Sequence, residues 1–308
     1  MRGVIRPVMI PMIVTVIVMV IVLGTMAGGL MSRTGATAPS AVTVPCRQCF
    51  PETELPVELR ERAAALLLKA LDGEALYTFV GDLKPMSSGF FSLSFSAANP
   101  PAETLAQLDE TRQLISAWRC GEAYYTGLHH FARQFEGKRY VDGLVIRRSR
   151  LEDLLVARSA FFAGYGITRR ADPLEVVAAV EYASAAERLR HYGYLFGYPD
   201  HAVDFFVDAA RSQEETGQFV KREFRRIPTF RAVDDRSPFV YAVPVGHVPN
   251  EADRRIEDQA TAILAAYRER RARYIGPGRP GVFRLLRDWF DDGRGQCSPA
   301  NARWNRPR

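Results

Sequence analysis

The chain has 308 residues, which is long enough for one large domain or two small ones with a sizeable buried core. Hydrophobic residues make up 47% of the chain and charged residues 25%, so the composition excludes wholesale disorder. The formal net charge is +6, but acidic residues are interleaved with the arginines almost everywhere, and the basic residues do not alternate with aromatic residues. We therefore expect an ordinary solvated surface and no nucleic acid partner.

An uncharged segment of 24 residues runs over positions 8–31. Its centre, Val14–Leu23, is apolar on every face, which does not suit an amphipathic surface helix. The segment is long enough to cross a hydrocarbon core of about 30 Å, and Arg2 and Arg6 favour an N-terminus that stays inside. The sequence predicts one transmembrane helix within residues 1–31, a signal anchor, with the rest of the chain outside the cytoplasm.

Cleavage of this segment is the second interpretation. Small-x-small motifs end at Ala27 and Ala38, where processing would release a secreted form. Pro39 makes the second motif a poor cleavage site, and the apolar stretch exceeds the roughly 7–15 residues of a usual signal-peptide core. The uncleaved anchor is therefore the favoured prediction.

Residues 32–51 carry Ser, Thr, Gly, Ala and Pro without periodicity, which is typical of a flexible juxtamembrane linker. Apolar positions then recur at helical spacing in segments that we predict as helices: 54–71, 101–118, 149–162, 173–195, one beginning near Asp200, 251–274, and a short one after Pro280. Strands are predicted at 75–80, 90–95, 229–233 and 239–245, with a hairpin joining 126–135 to 139–146 around Glu136-Gly137-Lys138.

Helices dominate these elements, and the strands come in short clusters. The predicted class is therefore α+β, a helix-rich globular domain with short hairpin and sheet elements, preceded by the one transmembrane helix. No linker divides the chain after residue 52, so residues 52–293 are predicted to form a single domain. A polar, arginine-rich tail over residues 294–308 should follow it.

The four cysteines, Cys46, Cys49, Cys120 and Cys297, form an even set on the side predicted to lie outside the cytoplasm, which indicates disulfides. Four cysteines allow three pairings, and the sequence does not choose among them. One pairing would tie the linker to the tail through Cys297. A redox centre at Cys46 and Cys49 would need a helix N-terminus to lower a thiol pKa, and a zinc half-site would need a second ligand pair.

The densest group of titratable and aromatic side chains lies at a predicted helix break, residues 191–201. Helix ends present unpaired backbone groups and side chains from two directions, which suits function. His191, Asp200 and His201 are candidate acid–base residues, and His191, His201 and Asp204 are candidate metal ligands, for which zinc fits. The plainer interpretation is that Asp200 caps a helix and the rings pack between helices.

The other histidines give weaker signals. Adjacent side chains on a strand point to opposite faces, so only one of His129 and His130 can serve a given site, such as a third metal ligand. His247 follows a predicted strand between Gly246 and Val248 and is expected at the surface.

The sequence does not indicate a reaction class. It has neither a phosphate-binding glycine loop nor a Gly-x-Ser-x-Gly elbow, so whether the chain is an enzyme stays open. The leading hypothesis is a membrane-anchored, non-catalytic module that binds an envelope component or a partner protein. The alternative is a metal-assisted or acid–base hydrolase centred on His191, Asp200 and His201, and a thiol–disulfide protein using Cys46 and Cys49 comes third.

Overall fold

The computed structural model describes residues 43–231, 239–302 and 304, which belong to one compact unit. Ten α-helices lie in the described residues: α1 Val57–Asp72, α2 Leu76–Phe79, α3 Ala102–Ser116, α4 Arg148–Ala157, α5 Ser159–Ala163, α6 Pro173–Tyr182, α7 Ala185–Leu195, α8 Asp200–Thr216, α9 Glu251–Tyr274 and α10 Val282–Phe290. The strands are β1 Val44–Pro45, β2 Met86–Ser96, β3 Tyr124–His130, β4 Lys138–Arg147, β5 Arg222–Arg226, β6 Val240–Pro244 and β7 Gln296–Cys297.

The strands form three small antiparallel sheets. The largest has the order β2–β4–β3, and the other two are the pairs β5–β6 and β1–β7. The class is therefore α+β, as predicted. None of the described helices combines the length and the apolar character needed to cross a bilayer, and the predicted span at 8–31 lies outside the described residues.

Two predicted helices are each interrupted. The segment 149–162 divides into α4 and α5 at Arg158, whose backbone leaves the helical region. The segment 173–195 divides into α6 and α7, because the Ser184 hydroxyl accepts a hydrogen bond from the Glu187 N–H and begins a new helix. Serine is a strong N-cap, so a capping residue inside an apolar pattern marks such a restart.

The segment predicted as a strand at 75–80 is the short helix α2, and all four of its residues are buried. A short apolar run that is buried on every side has no periodicity by which helix and strand can be distinguished.

The strand that pairs with β6 is β5 and not the predicted strand at 229–233. Residues 229–231 do not form a strand, and residues 232–233 lie outside the described residues. Strand β5 is rich in arginine and lacks the apolar alternation that would have revealed it.

The fold begins earlier than the predicted linker boundary at residue 51. Cys49 and Phe50 are fully buried, and the Phe50 ring lies 5.8 Å from the rings of both Phe79 and Phe290. The backbone of Phe50 is fixed as well, because its carbonyl accepts a hydrogen bond from Arg287 at 2.9 Å. The end of the predicted linker is therefore part of the main core.

Two disulfides join Cys46 to Cys297 and Cys49 to Cys120. The first ties the start of the fold to the strand β7, so the predicted tail is part of the fold at least as far as the 3-10 turn Pro299–Asn301. No described cysteine is free. Paired cysteines of this kind indicate an oxidising, extracytoplasmic location.

Candidate functional site

His191 lies inside the protein and not in a pocket wall. Its ring is fully buried, 4.5 Å from the Tyr165 ring and 4.6 Å from the Phe161 ring, and neither ring nitrogen has a hydrogen-bond partner among the described residues. Burial lowers the pKa of His191 to about 4, although the nearby charge of Glu187 acts in the opposite direction. These contacts are those of a neutral core histidine.

Replacement of His191 by phenylalanine should reduce the fall in the free energy of unfolding at acid pH. Because the folded-state pKa is lowered from 6.5 to about 4, the neutral ring contributes stability that is fully present above pH 6.5 and lost as the pH falls towards 4. The loss between pH 7.5 and 4.5 should be roughly 2–3 kcal/mol in the parent chain and much smaller in His191→Phe. Urea unfolding at both pH values measures it. Tyr182→Phe, at an exposed position, is the control. An equal loss of stability between the two pH values in the parent and in His191→Phe would contradict the assignment.

Asp200 and Asp204 are engaged by arginines on the surface. Asp200 is the first residue of α8 and not its N-cap, and its carboxylate pairs with Arg158. Asp204 pairs with Arg190 in the same way. The described residues bring neither carboxylate into a metal-binding group with His191 and His201, so the predicted catalytic and metal roles of these residues stay predictions.

His201, in contrast, meets two residues that are far from it in sequence. Gly197 allows α8 to turn back on α7, because it has φ +72° and a Cβ there would collide with the Leu83 carbonyl oxygen. The first turn of α8 thereby places His201 against His247, which precedes α9, with ring centroids 4.9 Å apart and planes 14° from parallel. Asp253, in the first turn of α9, contacts Nε2 of both rings and is fully buried.

Asp253 accepts hydrogen bonds from several directions. Tyr241 donates to Oδ1 at 2.6 Å, and His247 Nε2 and the Asn250 N–H donate to Oδ2 at 2.7 and 2.9 Å. His201 Nε2 lies 3.2 Å from Oδ1. Burial raises the pKa of Asp253, but these hydrogen bonds outweigh it and hold the pKa at about 2. The carboxylate is therefore ionised at neutral pH.

A second candidate lies between the three-stranded sheet and α6. A pocket of about 650 Å³ opens there, with mostly apolar walls: Phe95, Tyr125, Leu128, Phe131, Tyr140, Val141, Leu144, Leu174, Val177, Ala178 and Tyr182, besides Ala97, Ala132 and the polar residues His129, His130, Arg139 and Glu181. A smaller pocket of about 200 Å³ shares His129, Phe131, Leu144 and Val177 with it. The size and the apolar lining are those of a small-molecule pocket. We name the two together the sheet–α6 pocket.

Three polar side chains meet in the wall of the sheet–α6 pocket. Tyr192 donates to Glu181 Oε1, and His129 Nε2 lies 2.7 Å from the Tyr192 oxygen and 3.3 Å from Glu181 Oε1. Because the tyrosine proton is directed to Glu181, His129 Nε2 donates to the tyrosine oxygen. The Ala132 N–H donates to Glu181 Oε2 at 2.7 Å.

The network keeps Glu181 charged. Burial raises its pKa, but hydrogen bonds from His129, Tyr192 and the Ala132 N–H together lower it to about 2. Burial, and then the hydrogen bond to the same carboxylate, raise the pKa of Tyr192. Perturbed pKa values beside an apolar pocket are a general marker of functional sites.

Sequence reasoning assigned His201 to a site but missed its partners. His247 is not at the surface, because its side chain is only 14% exposed and its ring bonds to Asp253. The available signal was the capping box Asn250-x-x-Asp253, which fixes a carboxylate at the start of a helix shortly after His247. Glu181 and Tyr192 carried no comparable signal, since their contact with His129 spans 52 and 63 positions.

Comparison of the chain with protein-family models, with curated proteins and with solved structures finds no match.

Proposed function

We propose that this chain is a membrane-anchored extracytoplasmic binding module that holds an apolar part of an envelope component in the sheet–α6 pocket. The observation that carries the proposal is the pocket itself, with apolar walls and one charged hydrogen-bonded network. Ligand pockets in proteins combine a large apolar lining with a few polar groups that orient the ligand.

The rim of the pocket supports the same function. Tyr182 is 89% exposed and Leu174 is 56% exposed, and both lie at the mouth of the pocket on α6. Large apolar side chains that stay exposed beside a pocket extend the surface that an apolar ligand can cover. An acyl chain or the apolar part of an amphipathic envelope molecule fits this combination.

The polar network favours binding over catalysis. His129, Glu181 and Tyr192 satisfy one another, and the Glu181 pKa of about 2 leaves the carboxylate a poor proton acceptor at neutral pH. A general base that works near neutral pH needs a pKa close to that pH. The network instead provides a fixed negative charge that can orient a polar end of the ligand.

The membrane anchor rests on the uncharged residues 8–31 and on the disulfides of the folded part. A reporter enzyme that is active only outside the cytoplasm, fused after Arg308, should be active. Carbonate washing should leave the intact chain in the membrane fraction. Cytoplasmic reporter activity would overturn the topology, and a shortened, soluble mature chain would replace the anchor by the cleaved form.

Filling the pocket should abolish apolar ligand binding. Ala178 is exposed and lines the pocket, so Ala178→Trp occupies it without disturbing the core. Binding of the uncharged apolar dye N-phenyl-1-naphthylamine to the fragment from Ala41, titrated by fluorescence and displaced by 1-dodecanol, should weaken at least about tenfold, a change of about 1.4 kcal/mol. Ala265→Trp, on the exposed side of α9, is the matched control and should bind as the parent does. Equal binding by the parent and Ala178→Trp would remove this pocket as the site.

A further inference from the structure

We propose that His201, His247 and Asp253 form a binding site for a divalent transition metal ion of the zinc class. One potential ligand atom of each residue lies within 4.8 Å of the other two. Tetrahedral zinc with bonds of 2.0–2.1 Å needs ligand atoms about 3.3 Å apart. Asp253 Oδ2 lies 2.7 Å from His247 Nε2, and Asp253 Oδ1 lies 3.2 Å from His201 Nε2. Both separations are shorter than that value by less than 1 Å, so small side-chain shifts complete the site.

The donor set selects the class of metal. Two imidazoles and one carboxylate suit zinc and its neighbours in the transition series, whereas calcium and magnesium prefer sets of oxygen ligands. The carboxylate is held in place by Tyr241 and by the Asn250 N–H, which is the outer-shell support that metal ligands usually have. The nearby positive charge of Arg225, 3.7 Å from Asp253, is balanced by Glu257 at 2.7 Å.

The site has an entrance and a free ligand atom. His201 lines a cleft of about 760 Å³ together with Tyr198, Asp200 and Arg255, so a metal and additional ligands can reach it from solvent. His201 Nε2 is buried and makes no well-aligned hydrogen bond within the described part of the chain, although Asp253 Oδ1 lies 3.2 Å away. A metal ion would engage this atom and join it to the carboxylate.

Asn250 controls the affinity of the site. Its Nδ2 donates to His201 Nδ1 at 3.1 Å, while its Oδ1 accepts from the Asp253 N–H as the N-cap of α9. When His201 binds the metal through Nε2, its remaining proton sits on Nδ1. The Asn250 amide faces that proton with a donor and offers it no acceptor, so it opposes this tautomer. An aspartate at position 250 would keep the cap and accept that proton, because aspartate and asparagine cap equally well.

The test is calorimetric titration of the full-length chain, purified in detergent without a histidine tag and freed of metal by a chelator. We expect one Zn²⁺ per chain, release of protons on binding, and no comparable binding of Ca²⁺ or Mg²⁺. His201→Ala and His247→Ala should each weaken zinc binding at least about 100-fold, and Asn250→Asp should strengthen it about tenfold. Asp258→Ala removes an exposed carboxylate of α9 outside the site and should bind zinc as the parent does.

Absence of stoichiometric zinc binding by the parent would overturn the proposal, as would parent-like affinity in either folded histidine variant. Asn250→Asp preserves the helix cap and should fold, so it tests the site even where a histidine variant does not fold. Unchanged or weaker zinc binding in Asn250→Asp would overturn ligation through His201 Nε2. Equal binding of Ca²⁺ and Zn²⁺ would overturn the class of metal.

Discussion

Removal of both disulfides should lower the free energy of unfolding by more than any other change considered for this chain. In the chain-entropy model, the loop of 71 residues between Cys49 and Cys120 contributes about 4 kcal/mol, and the separation of 251 residues between Cys46 and Cys297 contributes about 5 kcal/mol. Domains are stable by roughly 5–15 kcal/mol, so the reduced chain should unfold at a much lower urea concentration. Urea unfolding with and without reductant measures the difference.

The two disulfides should also differ in access to a reductant. Cys49 and Cys120 are both fully enclosed by the core, whereas Cys46 is partly exposed at the edge of the fold. Mild reductant followed by alkylation and mass analysis should therefore modify Cys46 and Cys297 first. Four alkylated thiols in the chain isolated without reductant would contradict both disulfides and the oxidising location.

Replacement of Glu74 by glutamine should destabilise the fold by about 3–5 kcal/mol at pH 7, because it leaves a buried ammonium group without a counter-charge. Lys84 is completely buried, with its Nζ 2.5 Å from Glu74 and 4.3 Å from the Phe239 ring centroid. Burial lowers the pKa of Lys84, and the charge of Glu74 opposes that shift. Urea unfolding of the variant at pH 7 and pH 9 is the measurement.

The pH dependence separates this mechanism from a simple packing defect. Without Glu74, the lowered pKa of Lys84 allows the ammonium to lose its proton as the pH rises, so the destabilisation should shrink between pH 7 and pH 9. The double variant Glu74→Leu with Lys84→Met removes both charges and should be close to neutral, which makes it the matched control. A cost in Glu74→Gln that is the same at both pH values would contradict the buried-charge explanation.

The long helices were predictable because their information is local. In α9, apolar residues recur at helical spacing and Asn250 precedes the helix as a cap, so neighbouring positions suffice to specify the element. The hairpin of β3 and β4 was predictable for the same reason, since turn residues separate two strand-like runs. The prediction of a strand at 75–80 was wrong, because the residues of α2 are buried on every side and their apolar pattern has no period.

The sequence by itself determined the α+β class, most helices, the oxidised state of the cysteines and an uncharged segment long enough for a membrane. Each of these depends on composition or on residues within a few turns of one another. Only the tertiary structure decided which cysteines pair, that His191 is enclosed by aromatic rings, and that His201 meets His247 and Asp253. Such contacts join positions dozens to hundreds of residues apart. They depend on how whole elements pack around the core, and no local pattern of residue types encodes that packing.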